Sequence, residues 1–134
     1  MTTFATLLVV EDDEDLREVI ALSLERDGRR IVAAEDGLAA LEYILNYGLP
    51  DLILLDMNMP TMNGWQLADE LRERELWQVP VIVLTAAHDV ERSAHEIGAS
   101  GYLGKPFEIA ALEAVVERQL REAARPQRSE HASQ

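Results

Sequence analysis

Five short aliphatic or β-branched runs recur along the chain: LLVVE (7–11), RIVAA (30–34), LILLD (52–56), VIVLT (81–85) and the weaker GYLGK (101–105). Each is too short for a helix, and the richest do not alternate with polar residues, which is the pattern of strands buried on both faces. Between and after them stand segments with apolar residues at helical spacing: Leu16, Val19, Ile20 and Leu24; Leu38, Leu41, Ile44 and Leu45; Leu67, Ala68 and Leu71; Val90, Ala94 and Ile97; Leu112, Val115, Val116, Leu120 and Ala123. The order is strand then helix, five times over. Asp36 is an N-cap candidate, Gly28, Gly48 and Gly98 stand where C′ glycines end helices, and Pro80 restricts Val79 ahead of the fourth strand. The fourth helix has a narrow apolar stripe and two histidines, so it is expected to be the more mobile one.

Strict alternation predicts an α/β fold: a five-stranded parallel, doubly wound sheet with helices on both faces and right-handed crossovers. In such sheets ligands bind beyond the carboxyl ends of the strands, where strand order reverses. What each strand ends on therefore carries the functional reading. Strand one ends on Glu11, Asp12 and Asp13, strand three on Asp56, strand four on Thr85 and strand five on Lys105.

Two carboxylates about 4 Å apart repel by roughly 4 kcal/mol at an effective dielectric of 20, so such a cluster needs a cation, a proton or an ammonium within it. A few hard oxygen ligands on loops suit Mg²⁺, and the chain has no cysteine to offer a zinc ion. With a metal between Asp12 and Asp56, an oxygen of Asp56 would be aligned as a nucleophile toward a phosphoryl group. A hydroxyl at Thr85 and an ammonium at Lys105 would hold the remaining phosphoryl oxygens.

Composition narrows the partners. With 134 residues and 48% apolar content there is room for one core. The expected division is a folded domain over 1–124 and a polar, aperiodic, disordered tail over 125–134. Twelve Lys and Arg against 25 Asp and Glu give a net charge of −13, which repels nucleic acid and anionic membrane surfaces. The absence of cysteine excludes disulfides and thiolate metal sites. The first apolar stretch, FATLLVV, is too short for a membrane span, so a cytoplasmic protein is expected. Of the twelve basic residues, Lys105 is the only lysine. A point charge on a flexible stem serves there where arginine's planar fork would not.

Taken together, LLVVEDDEDLR, LILLDMNMPTMNG, VIVLTA and GYLGKPF, in this order and at these spacings, resemble the motif set of response-regulator receiver domains of two-component signalling, from about Leu7 to Arg121. The resemblance implies a (βα)5 flavodoxin-like fold with strand order 2-1-3-4-5. It implies that Asp56 is the phosphoacceptor, served by a sensor histidine kinase or a histidine phosphotransfer protein. Glu11 and Asp12 match the acidic pair, Asp12 binding Mg²⁺ directly and Glu11 through water. Asn58 matches the position whose backbone carbonyl completes the metal site. Thr85 and Lys105 match the pair that grips the phosphoryl group, and Tyr102 the aromatic that turns inward when the threonine moves. Pro106 matches a proline preceded by a cis bond that would aim Lys105 into the pocket. The first acid is Glu here, a variant with a longer side chain, and Gly104 beside the lysine is expected to loosen the fifth strand.

Plainer roles stand beside these. Asp56 alone would read as an acid capping a turn, and Asp13, Glu14 and Asp15 as acids favoured by a helix N-terminus. Thr85 and Tyr102 alone would be ordinary strand residues. His88 and His95 have no third ligand nearby, Trp65 and Trp77 are expected to cover core edges, and Met57 and Met59 to pack. Pro60 and Gly64 are expected to shape the loop after Asp56, glycine supplying a backbone angle that other residues avoid.

The leading function is a switch, not an enzyme beyond its own phosphorylation and dephosphorylation. It would signal through a changed protein-binding surface around the fourth helix, fifth strand and fifth helix. An effector protein, or a second copy in a phosphorylation-dependent homodimer, would read that change. The residues after Lys105 suffice for one helix and a tail, short of the about 50 that a further domain usually needs, so a receiver standing alone, like chemotaxis regulators, is expected. Two alternatives remain: a Mg²⁺-dependent phosphatase with an aspartyl-phosphate intermediate, whose usual second acid is replaced by Asn58, and a receiver-like scaffold that works without phosphorylation.

Overall fold

The computed structural model describes residues 5–26 and 28–124. In chain order its elements are β1 (Ala5–Val10), α1 (Glu14–Leu24), β2 (Arg29–Ala34), α2 (Gly37–Tyr47), β3 (Leu52–Asp56), α3 (Gly64–Glu73), β4 (Val81–Ala86), α4 (Ala87–Ile97), β5 (Gly101–Lys105) and α5 (Ile109–Ala124). The strands form one parallel sheet in the order β2-β1-β3-β4-β5.

Successive residues of a strand point to opposite faces, so a central strand under helices on both sides must be apolar throughout. β3 meets that condition from Leu52 to Leu55, and all five of its residues are buried, Asp56 at the carboxyl end included. Leu8, Val10, Ile53, Leu55, Val81 and Val83 face a core shared with α2, α3 and α4. Leu7, Val9, Leu52, Leu54, Ile82 and Leu84 face the opposite core, closed by Ile20 and Leu24 of α1 and Leu112 and Val116 of α5. Each such buried Leu, Ile or Val contributes about 1.5–3 kcal/mol relative to exposure. Trp65 and Trp77 pack at the margin of the first core, as their positions suggested. No helix among the described residues is long and apolar enough to cross a membrane.

The helix ends follow the sequence with one exception. Asp13 accepts from the Leu16 N–H at 3.0 Å, Asp36 from the Ala39 N–H at 2.8 Å, and Asn63 forms a reciprocal capping box with Gln66. Gly48 and Gly98 end α2 and α4 at positive φ. Gly28 does not end α1, which stops at Leu24 with Glu25 as its cap; instead Gly28, at φ +87°, turns the chain into β2. Of α1 to α4, only α4 lacks a side-chain cap, because Ala86 has no polar atom to offer. The segment 125–134 lies outside the described residues.

Gly64 and Gly104 act through close approach rather than through backbone angle. Gly64 has an ordinary φ; the left-handed residue in its loop is Thr61, at φ +67°. A Cβ on Gly64 would lie 2.5 Å from Sδ of Met57, which is fully buried, so Met57 packs directly under the start of α3. Gly104 likewise does not slacken β5: a Cβ there would lie 2.6 Å from Cα of Ala87, so the missing side chain lets α4 begin directly against the sheet. Gly104→Ala is therefore expected to destabilise the protein by about 1–3 kcal/mol, the usual range for overpacking, read from the midpoint of urea unfolding. An unchanged or higher midpoint would mean that Gly104 is only a flexible position.

Candidate functional site

The direction of strand order reverses between β1 and β3, and a crevice beyond their carboxyl ends is where a doubly wound sheet binds ligands. β1 delivers Glu11 and Asp12 to this edge, β3 delivers Asp56, β4 delivers Thr85 and β5 delivers Lys105. Glu11, Asp12 and Asp56 each place a carboxylate oxygen within 4.8 Å of the others. Glu11 and Asp56 are 1% and 3% exposed, whereas Asp12 faces solvent. Lys105 Nζ stands 2.9 Å from Glu11 Oε1 and 3.6 Å from Asp56 Oδ1, and the Lys105–Pro106 bond is cis.

One ammonium does not balance three carboxylates, and the imbalance shows on Asp56. Burial first, and the charge of Glu11 second, push its carboxyl up to about 7 against the pull of Lys105; Asp12 adds to the rise and the Asn58 N–H opposes it. That N–H donates to Asp56 Oδ1 at 3.3 Å. Burial would lower the Lys105 ammonium, but its contact with Glu11 and the attraction of Asp56, Glu11 and Asp12 outweigh burial and raise it. Glu11 Oε2 accepts from the Asp13 N–H at 3.2 Å, while the buried Oε1 has the ammonium near it but no aligned hydrogen-bond donor. A buried oxygen without a donor, in a set made wholly of hard oxygens with excess negative charge, fits a divalent cation.

Of the residues picked out by sequence, Glu11, Asp12, Asp56, Thr85 and Lys105 gather at this one edge, with Asn58 two residues beyond Asp56. Tyr102 stands apart on β5, beside Val83 of β4, with 44% of its surface exposed. His88 and His95 are exposed on α4, and His88 lies 3.2 Å from Asp89.

Two contacts at the site went unread in the sequence. The Asn58 side-chain amide donates to Thr85 Oγ1 at 3.1 Å, across 27 residues of chain. Arg17 donates from Nη1 to the Glu11 carbonyl at 2.8 Å, tying the first turns of α1 to the end of β1. Neither follows from periodicity; only a polar residue next to a strand end hinted at the first.

Residues 7–117 match the response regulator receiver domain family. The chain is 38% identical over 120 residues to the phosphate regulon transcriptional regulatory protein PhoB of Pseudomonas aeruginosa, covering 84% of this chain and 52% of that protein. It is 40% identical over 117 residues to the transcriptional regulatory protein CseB of Streptomyces coelicolor, covering 86% and 49%. It thus spans about half the length of these regulators. The receiver domain of the Francisella response regulator 1452 shares the fold with a TM-score of 0.76 at 31% identity, covering 88% of this chain and 98% of that one. The class is not enzymatic beyond its own phosphorylation and dephosphorylation. From the family match over most of its length, the parallel 2-1-3-4-5 sheet and the acids gathered at its carboxyl edge, it follows that the chain belongs to the response-regulator receiver domains of two-component signalling.

Proposed function

We propose that Asp56 is the phosphoacceptor of a signalling switch and takes its phosphoryl group from a phosphohistidine on a sensor histidine kinase or histidine phosphotransfer protein. The observation that carries this reading is a buried Asp56 held among Glu11, Asp12 and the ammonium of Lys105. A structural carboxylate gains nothing from neighbours of like charge; a nucleophile that must receive an anion gains a preformed cation-binding site. In the transfer an Asp56 oxygen bonds to phosphorus, the phosphorus–nitrogen bond breaks, and the imidazole keeps the electron pair. Lys105 favours the ionised nucleophile and then meets the phosphoryl oxygens, with the Thr85 hydroxyl as a further donor.

Asp12 and Asp56, with the Asn58 backbone carbonyl and with Glu11 acting through water, would hold Mg²⁺. Bound there, Mg²⁺ neutralises charge shared between the carboxylates and the phosphoryl oxygens. The response is a changed protein-binding surface around α4, β5 and α5, in which Tyr102 leaves its exposed position once the Thr85 hydroxyl engages the phosphoryl group. A net charge of −13 favours basic docking surfaces on the partners.

The test is incubation with acetyl phosphate and Mg²⁺ followed by intact-mass measurement. One added phosphoryl group is expected, and none without Mg²⁺. No label, or equal label without Mg²⁺, overturns the reading; steady turnover of an organic phosphate ester would point to a phosphatase instead. Lys105→Arg is expected to weaken the phosphorylation-dependent response severalfold although charge is kept, because a planar fork cannot occupy the place of a point charge. Amide chemical shifts across β5, compared between labelled and unlabelled protein, measure it; a full response in the variant would count against this role for the ammonium.

A further inference from the structure

We infer that Asn58 is a positioning residue for Thr85, fixing the threonine hydroxyl as a donor toward whatever Asp56 carries; this rests on the reading of Asp56 as the phosphoacceptor. Thr85 is 2% exposed, so its hydroxyl must find a partner inside the protein. Its immediate neighbours along the chain and on β5 offer no side-chain partner. Across β5 it pairs with Gly104, which has no side chain, and it is followed by Ala86 and Ala87, which have no polar side-chain atoms. The Asn58 amide nitrogen, 3.1 Å from Oγ1, fills the role.

The polarity of that bond matters more than its presence. The amide donates, so Oγ1 accepts and the hydroxyl proton is left to be given elsewhere. Threonine has few χ1 wells, so holding Oγ1 also fixes where that proton can be offered. The backbone N–H of Asn58 donates to Asp56 Oδ1 at 3.3 Å, so one residue is bonded both to the acceptor carboxylate and to the hydroxyl that must respond to it. A bond from Asn58 and a bond to a phosphoryl oxygen use different capacities of one hydroxyl and coexist. Asn58 thereby sets how much response follows from each phosphoryl group. Its own side chain lies at the surface, so replacing it leaves both cores untouched.

Acetyl phosphate with Mg²⁺ is the probe, intact mass gives the extent of labelling, and amide chemical shifts across β5 give the response per labelled molecule. Asn58→Ala is expected to lower that response severalfold, and to lower it no further in a Thr85→Ala background. A full response per label in Asn58→Ala, or an equal drop in both backgrounds, overturns the inference while leaving Asp56 as the phosphoacceptor. Failure of the wild type to take label overturns both. A reading without phosphate comes from the χ1-dependent couplings of the Thr85 side chain: a single rotamer is expected in the wild type and averaging in Asn58→Ala. An unchanged rotamer in the variant also overturns it.

Discussion

Asp56→Asn is expected to reduce phosphoryl incorporation from acetyl phosphate to background, with Mg²⁺ present and the fold intact. The replacement keeps the shape of the side chain and an oxygen able to accept from the Asn58 N–H, which lies 3.3 Å from Oδ1. It removes the negative charge that makes a carboxylate oxygen a nucleophile; an amide oxygen does not form a stable bond to phosphorus under these conditions. It also takes one of the acids from the candidate cation site, so the electrostatic help falls together with the nucleophile. Both effects act in the same direction. Intact mass with acetyl phosphate checks the result, and circular dichroism confirms the fold. Labelling that persists in the variant with unchanged Mg²⁺ dependence would place the nucleophile elsewhere and remove the basis for reading Lys105 and Thr85 as its partners.

The parts of this molecule that were legible in the sequence are those that repeat along it. β3 was readable because a strand covered on both faces has no polar residue until the ligand edge, and Asp56 stands out for that reason. Asp36 and Gly98 were readable as helix ends because capping is local chemistry. The functional edge followed by combining strand ends with a general rule of parallel sheets, and Tyr102 by resemblance alone.

Steric fits between distant segments leave no such mark. Gly104 read as slack, but the approach of Ala87 makes it a tight contact; Gly64 read as a turn glycine, but it makes room for Met57. Each depends on what lies across from it, which no window of sequence contains. The Asn58 to Thr85 bond is the functional counterpart: the sequence singled out both residues, but their contact spans 27 positions and appears only when β3 and β4 pair. Helix α4 lies between these cases. Its narrow stripe of Val90, Ala94 and Ile97 was visible and is buried, together with Ser93, which periodicity of apolar residues did not pick out. Its ties to α3, from Trp65 Nε1 to Glu96 Oε1 at 3.0 Å and from Arg72 to the Ile97 carbonyl, were not.

Without Mg²⁺, the stability of the wild type relative to Asp56→Asn is expected to fall as pH rises through the acid range to neutrality, and Mg²⁺ is expected to restore it. The Asp56 carboxyl is raised from 3.8 to about 7 in the folded chain, chiefly by burial and then by Glu11. The folded state thus holds this proton more tightly than the unfolded state. Below 3.8 both states are protonated and the full contribution is present; between 3.8 and about 7 only the folded state keeps the proton, and stability is lost at up to about 1.4 kcal/mol per pH unit. Above about 7 both are ionised and the loss levels off, at no more than about 4 kcal/mol. Because Asp56 interacts with Glu11, the loss is spread over a wider range than a single titration would give. The asparagine variant carries no such proton, so subtracting its urea-unfolding profile from that of the wild type removes the titration of other acids. A cation that binds only the folded chain adds stability that grows with its concentration, and it does so most at neutral pH, where the acids are ionised and crowded. The asparagine variant, with one carboxylate fewer, should gain less from Mg²⁺. A difference profile that rises with pH in chelator would show that Asp56 is not the acid under electrostatic strain. An equal gain from Mg²⁺ in both proteins would place the cation away from Asp56.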